Sequence, residues 1–155
     1  MSGFVGKVEK PSSEIIPRSG FWPSVDLSEF RSDKRVLNSI SAEQAKTAVI
    51  NALVHVINQL NDYETKQVGL GYLILEDVPA REIAGVNQNV LLFEKAVFSK
   101  AKSILLEEYR DMDLARKAGE DKAEQAASNI KTFQAECFIA IRNLKGKTGV
   151  YAELV

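Results

Sequence analysis

The sequence predicts an all-α protein: a bundle of three long antiparallel helices plus short helices, with an extended N-terminal arm and an extended C-terminal tail. The chain has 155 residues, which is the size of one ordinary domain. Three long segments repeat apolar residues at three- and four-residue spacing, and glycine-containing stretches interrupt them. We therefore expect an arm at residues 1–20, a helical domain at residues 21–145 and a tail at residues 146–155.

The composition is that of an average globular domain, and it disfavours several classes of function. Lys plus Arg total 20 and Asp plus Glu total 21, so the net charge is −1. This balance disfavours a strongly basic nucleic-acid-binding protein and an acidic disordered tail. One cysteine and one histidine exclude a disulfide framework, a cysteine-rich zinc site and any site that needs two histidines. No apolar run approaches the ~18 residues of a membrane-spanning helix, and residues 1–10 lack a signal-peptide core.

Residues 1–20 predict an extended arm. They contain three glycines, two prolines and four serines, and their apolar residues follow no helical period. Phe21 and Trp22 come next and precede Pro23. Because a residue before proline avoids the helical region, we expect an extended Trp22 whose ring is free to pack sideways.

Two capping signals mark where the first helices begin. Asp26 is a suitable N-cap for a short helix from Leu27 to about Arg35. Ser41-Ala42-Glu43-Gln44 is a capping-box pattern, and it predicts a first long helix that persists to about Lys66. The apolar residues of this helix form one stripe: Ala45, Val49, Ala52, Leu53, Val56, Leu60 and Tyr63.

A glycine-containing bend separates the first long helix from the second. Gly69-Leu70-Gly71 interrupts the helical pattern, and the apolar run from Tyr72 to Leu75 is either a strand or a packed loop. Asp77-Val78-Pro79-Ala80 indicates a turn that opens a short helix at residues 81–83, since proline suits a first helical position. Gly85 is expected to end that helix.

Two further long helices are predicted. The second, Gln88 to Tyr109, is apolar over so much of its circumference that it either lies centrally in a bundle or contacts a neighbouring subunit. Residues 110–122 are dense in both charges, which predicts a solvated connection. The third helix, from about Asp121 to Leu144, has a near-heptad apolar stripe, and this favours antiparallel packing against other long helices.

Two apolar segments flank the helical domain, and we expect both to contact partners. One is the aromatic segment before the first helix, and the other is the tail, which is more apolar than a free terminus usually is. Exposed apolar segments beside a bundle often mark interfaces. The predicted interface residues are Phe21, Trp22, Pro23, Gly149, Val150, Tyr151, Leu154 and Val155. The alternative, that both segments fold back onto their own bundle, stays open at this point.

The residues that most often carry chemistry occur in settings that favour structural roles. His55 lies one step off the apolar stripe of the first long helix, with no carboxylate or thiol near it in the sequence to form a relay. Cys137 lies on the stripe of the third helix, where we expect a small buried hydrophobic residue. Gly146-Lys147-Thr148-Gly149 follows a helix, whereas a phosphate-binding loop follows a strand and opens a helix.

Four carboxylates cluster near the end of the second long helix: Glu107, Glu108, Asp111 and Asp113. Arginine and lysine side chains lie among and beside them, so we expect mutual screening on a solvated surface rather than metal binding. The sequence therefore predicts no catalytic residue, no metal site and no cofactor, and hence a protein that is not an enzyme.

Several groups of residues, in this order and spacing, resemble a known family. They are Phe21-Trp22-Pro23-Ser24-Val25-Asp26, Leu75-Glu76-Asp77-Val78-Pro79-Ala80, Glu94-Lys95-Ala96-Val97, Glu108-Tyr109-Arg110-Asp111 and Ile141-Arg142-Asn143-Leu144-Lys145-Gly146-Lys147. From about Phe21 to Val155, the chain resembles the head-completion proteins of contractile-tailed phages, the GpL type. The N-terminal arm lies outside this resemblance.

The resemblance implies a structural virion protein that joins the capsid after DNA packaging. Such proteins bind beneath the portal as a ring, dodecameric in related connectors, and form the platform for the tail. The implied partners are the portal protein, tail-terminator or neck proteins and further copies of the chain. The implied location is the head–tail neck of the virion, with assembly in the host cytoplasm and no membrane contact. Non-specific contact with DNA in the lumen of the ring stays open.

By the same resemblance, residues 149–155 are expected to lie against the portal or an adjacent ring subunit, and the broadly apolar second helix to supply a side face of the ring. An alternative from another class is a monomeric helical-bundle module that binds a partner helix or acts as a regulator. A hydrolase or metal enzyme is a third reading, which the missing histidines disfavour.

Overall fold

The computed structural model describes residues 14–114 and 120–147, and this part of the chain is mostly helical. Its α-helices are α1 (Leu27–Asp33), α2 (Ala42–Gln59), α3 (Asn61–Gly69), α4 (Gln88–Leu114) and α5 (Glu120–Leu144). A short 3-10 helix spans Leu75–Asp77, and the strands are β1 (Ile15–Ile16), β2 (Val25–Asp26), β3 (Glu82–Ile83) and β4 (Val86–Asn87). No helix in these described ranges has the length and hydropathy that crossing a membrane requires.

Short antiparallel strand pairs correct the prediction of a purely α-helical fold. In the first pair, Ile15 is opposite Asp26 and Ile16 is opposite Val25. The side chain of Ile16 is buried in the core. The described end of the predicted arm therefore belongs to the folded domain.

The second strand pair replaces the short helix that the sequence predicted at residues 81–83. Ile83 and Val86 face each other across a two-residue turn. Ala84 and Gly85 form that turn with φ values of 52° and 77°. A tight hairpin turn of this kind needs positive φ at both central residues, and the flanking residues are then extended rather than helical.

The first predicted long helix is divided in two. Its capping box is present, because Ser41 Oγ accepts a hydrogen bond from the Gln44 N–H at 3.1 Å and Gln44 Oε1 accepts one from the Ser41 N–H at 2.9 Å. The predicted apolar stripe is also confirmed over α2, from Ala45 to Val56. At Leu60, however, the backbone leaves helical geometry with φ −104° and ψ 10°, and α3 begins afterwards. The expectation of one uninterrupted helix to about Lys66 is therefore wrong.

The connection between the last two helices is shorter than predicted. Residues 110–114 continue α4, and α5 already begins at Glu120. A segment dense in charges need not be irregular, since glutamate, lysine and arginine are good helix formers. The predicted start of the connection at residue 110 is therefore wrong, whereas the predicted start of the third helix at about Asp121 is within one residue of the observed start at Glu120.

The helix α4 lies between α2 and α5. Two hydrogen bonds show that α4 runs antiparallel to α5. Ser99 Oγ of α4 donates to Glu136 Oε2 of α5 at 3.1 Å. Later in α4, Glu107 accepts at 3.0 Å from Gln134, which comes earlier in α5. The helix α1 packs on a different face of α4, where the rings of Phe30 and Phe98 are 5.4 Å apart. Most of the apolar circumference of α4 is thus covered by its own chain, with Tyr109 exposed, and the helix does not supply the broad exposed side face that we expected.

A half-buried carboxylate lies where α1 meets α4. Burial, followed by the nearby charges of Glu29, Asp33 and Asp26, raises the pKa of Glu94 to about 7 from its ordinary value of 4.5. The folded chain therefore holds this proton at a pH where the unfolded chain has lost it. The resulting stabilisation is complete below about pH 4.5 and is lost as the pH rises through about 7.

Replacing Glu94 with glutamine is expected to remove this pH dependence. Since solvent screens a half-exposed group, we expect the variant to be more stable than the wild type by about 1 kcal/mol at pH 8, with little difference at pH 4.5. Urea unfolding at both pH values measures the effect. Glu108→Gln, at an exposed site on the same helix, is the matched control and should change neither value. Equal effects of Glu94→Gln on the free energy of unfolding at both pH values would contradict a raised pKa of Glu94.

Candidate partner interface

The aromatic segment before α1 packs into a cluster with residues of α3 and α4. The ring of Trp22 stacks on that of Phe93, with centroids 4.9 Å apart and planes 17° from parallel. Phe21 meets the Trp22 ring edge-on at 4.8 Å, and Tyr63 lies 6.3 Å from it on α3. The indole Nε1 donates a hydrogen bond to Glu64 Oε2 at 3.2 Å. The cluster therefore joins the N-terminal segment to two helices that are distant in sequence.

The burial of this segment corrects part of the predicted interface. Phe21 is 3% exposed and Trp22 is 1% exposed, while Pro23 is half-buried. The expectation that Phe21 and Trp22 are exposed to a partner is wrong, and the alternative that they fold back onto their own chain is correct. Sequence reasoning placed Trp22 in an extended segment but had no signal for the direction of its ring, since the stacking partner Phe93 lies about seventy residues away.

The other predicted interface residues, Gly149, Val150, Tyr151, Leu154 and Val155, lie outside the described residues. The structure does show how α5 ends before them. The Gly146 N–H bonds the Asn143 carbonyl and the Lys147 N–H bonds the Arg142 carbonyl, each at 3.0 Å. Gly146 has a φ of 76°, so it adopts the left-handed conformation that terminates helices in this way.

A groove of about 390 Å³ opens between α2 and α5, above α4. The helix α2 contributes His55 and Gln59 to one wall, and α4 contributes Lys100. The apolar part of the opposite wall comes from α5, with Phe138 and Ile141. We call this feature the basic groove.

The basic groove carries an excess of positive charge. Its cationic side chains are Lys100, Arg142, Lys145 and Lys147, and no carboxylate lines it among the residues that the structure describes. The Arg142 guanidinium lies 5.7 Å from the centroid of the Phe138 ring. This distance allows a cation–π contact that holds the charge beside an apolar surface. The groove is therefore suited to a ligand that is both anionic and apolar.

The single histidine and the single cysteine both line this groove, but they form no nucleophile. Burial, opposed by the charge of Lys100, raises the pKa of the Cys137 thiol to about 11. Burial and the same lysine lower the pKa of His55 below its ordinary value. At neutral pH both side chains are therefore uncharged, and the thiol is not the reactive thiolate that nucleophilic chemistry needs. The prediction that Cys137 is buried is confirmed, since it is 2% exposed.

Sequence reasoning missed the basic groove, although part of it left a signal. Phe138, Arg142 and Lys145 recur at four- and three-residue spacing, which places them on one face of α5. Lys100 lies about forty residues earlier in the chain and joins them only because α4 and α5 pack together. The balanced net charge of the sequence therefore gave no indication of this local excess of positive charge.

The predicted carboxylate cluster is only partly within the described side chains. Glu107 accepts the hydrogen bond from Gln134, and Glu108 is exposed. The side chains of Asp111 and Asp113 lie outside the described part. Within that part, no group of three or more histidine, cysteine, aspartate or glutamate residues is arranged to hold a metal ion.

The helices α2 and α5 each expose large apolar side chains, whereas on α4 Tyr109 is exposed, at 39%. On α2, Ile50 and Val54 are 42% and 56% exposed and share one helical face. On α5, Phe138 and Ile139 are 59% and 54% exposed. Ile50, Val54 and Ile139 lie outside the lining of the basic groove and are candidates for contacts between subunits, because burial of large apolar groups by a partner is favourable.

The chain is similar to phage proteins of known name. It is 27% identical over 133 residues to the "Head completion/stabilization protein" of Escherichia phage P2, an alignment that covers 86% of this chain and 78% of that protein. It is also 27% identical over 144 residues to the "Probable head completion/stabilization protein" of Haemophilus phage HP1 (strain HP1c1), covering 93% and 94% of the two chains. No solved structure matches it significantly. The family model for "Phage head completion protein (GPL)" matches residues 16–155, a range that includes α1 to α5 and the tail. The chain therefore belongs to this family of structural phage head completion proteins.

Proposed function

We propose that this chain is a structural virion protein that completes the phage head after DNA packaging. It binds as a ring beneath the portal, at the head–tail neck, and forms the platform on which the tail is attached. The observation that carries this proposal is the family match over residues 16–155, which includes all the α-helices that the structure describes. The names of the two relatives support head completion as the role, and assembly in the host cytoplasm follows from it.

The packing of the helices supports a rigid ring subunit. The long helices α4 and α5 and the divided helix α2–α3 share one core, so we propose that they act as a three-helix wedge. Side contacts between neighbouring subunits would come from the exposed residues Ile50 and Val54 of α2 and Ile139 of α5. This assignment replaces α4, most of whose apolar face is covered within the chain.

The proposed portal contact is the tail. Its apolar residues Val150, Tyr151, Leu154 and Val155 follow in the sequence the left-handed turn at Gly146 that ends α5. Phe21 and Trp22 have a different role in this proposal: they hold the N-terminal segment against α3 and α4 rather than touching a partner.

The mass of the complex formed with purified portal protein tests this proposal. We expect a closed ring with many copies of this chain bound to one portal assembly, measured by native mass spectrometry or light scattering. The full chain mixed with a globular protein of similar size and no portal relation is the control and should show no such species. One bound copy, or none, would contradict the ring and favour the monomeric binding module.

A further inference from the structure

The residues that line the basic groove are suited to binding an anionic group. Its four cations, Lys100, Arg142, Lys145 and Lys147, face no carboxylate within the described part of the chain. Like charges held together repel one another, and an opposite charge placed among them removes that cost. Because Phe138 and Ile141 add an apolar wall, the ligand should also bury apolar surface.

The described chain ends at this groove. Lys147 is both the last described residue and part of the groove lining. The segment that follows is Thr148-Gly149-Val150-Tyr151-Ala152-Glu153-Leu154-Val155. It combines one carboxylate, Glu153, with four large apolar side chains and carries no positive charge. Its chemistry complements that of the groove.

The segment is also long enough to lie along the groove. From Gln134 to Lys145, just after the end of α5, this wall advances by eleven residue steps, or about 16 Å at the rise of an α-helix. Eight extended residues span up to about 26 Å. In an extended segment Tyr151, Glu153 and Val155 share one face, so one carboxylate and two apolar side chains can enter the groove together.

We propose that the basic groove binds the chain's own residues 149–155, so that the tail is held against its own bundle until the portal protein binds the tail. This inference rests on the proposed function only for the last step, in which the tail leaves the groove and binds the portal protein. Attachment in the same chain gives the tail an effective concentration in the millimolar range. An intrinsic dissociation constant of about 0.1 mM then suffices to fill the groove in about nine-tenths of the molecules.

Two measurements on the free full-length chain test the docking. The first is zero-length carbodiimide cross-linking, which joins a carboxylate to an amine only where they touch. We expect Glu153 to be joined to Lys100, Lys145 or Lys147 within single chains, at a yield that does not change on dilution. Glu153→Gln should remove this product. Cross-links that form only between chains would overturn the proposal in favour of a second copy, and no product at all would overturn it outright.

The second measurement is the rate of chymotrypsin cleavage after Tyr151. If the groove is filled in about nine-tenths of the molecules, emptying it should speed cleavage about tenfold. Phe138→Ala removes part of the apolar wall of the groove, so we expect it to increase the cleavage rate by about this factor. Leu37→Ala, at an apolar residue of similar exposure that lies outside the groove, is the matched control and should leave the rate unchanged. Equal rates for the two variants would overturn the proposal.

A third experiment, with added DNA, distinguishes tail docking from a groove that binds the phosphates of DNA. A short duplex should leave the acetylation of Lys100 and Lys145 unchanged in the full chain. Protection of both lysines by the duplex, with Tyr151 cleaved freely, would assign the groove to DNA instead. These measurements use no portal, so a failure of tail docking is distinguishable from a failure of ring formation with portal.

Discussion

Replacing Trp22 with alanine is expected to lower the free energy of unfolding by about 4 kcal/mol. The side chain is 1% exposed, so the substitution leaves a cavity between the N-terminal segment and the helices α3 and α4. It also removes the stacked contact with Phe93 and the hydrogen bond to Glu64. Since a domain is stabilised by only about 5–15 kcal/mol in total, this loss is a large part of the stability. Urea unfolding followed by far-ultraviolet circular dichroism measures it without relying on tryptophan fluorescence.

Two control variants separate burial from other effects at this site. Trp22→Phe keeps an aromatic ring for Phe93 to stack on, and it should cost clearly less than Trp22→Ala. Pro23→Ala changes the half-buried neighbour and should cost about 1 kcal/mol or less. A loss below about 1 kcal/mol for Trp22→Ala would mean that the ring is exposed in solution. The aromatic segment would then be available to a partner, as the sequence first suggested.

Deleting residues 149–155 is expected to abolish attachment to the portal while leaving the fold intact. All the helices of the structure end by Leu144, and the cap of α5 is complete at Lys147. The helical circular-dichroism signal of the deleted chain should therefore equal that of the full chain. Co-sedimentation with purified portal measures attachment, and we expect none above background.

The chain offers a matched control for this deletion. Removing residues 2–8 takes away the same number of residues from the other end, in a stretch that the family match does not include. That variant should attach as the full chain does. Attachment by the chain that lacks residues 149–155 would remove the tail from the interface. The exposed faces of α2 and α5 would then be the remaining candidates for portal contact.

If the tail docks in the basic groove, portal binding competes with that contact. Weakening the groove by Phe138→Ala would then make the tail more available, and attachment to the portal should not decrease. This direction distinguishes the groove from a surface that itself binds the portal, where the same substitution would weaken attachment. The transfer is a population shift, whose size depends on the difference between the two affinities of the tail.

Local patterns determined most of the helical framework. The residues Ser41 and Gln44 begin α2 because their side chains bond each other's backbone N–H groups, a contact within one turn of chain. The three- and four-residue spacing of apolar residues likewise identifies the buried face of α2. Where local signals conflict or are weak, the outcome differs: Glu82 and Ile83 form a strand instead of a helix, and Leu60 divides a helix whose apolar pattern continues past it.

The sequence by itself determined the helices, their buried faces and, through the order of its motifs, the family to which the chain belongs. Only the tertiary structure decided that Trp22 is a core residue, that most apolar residues of α4 pack against their own chain, and that Lys100 joins Arg142, Lys145 and Lys147 in one groove. The physical reason is the range of the interactions. Capping and helical periodicity act within a few residues, whereas ring stacking and charge clustering depend on which distant surfaces bury the most apolar area together.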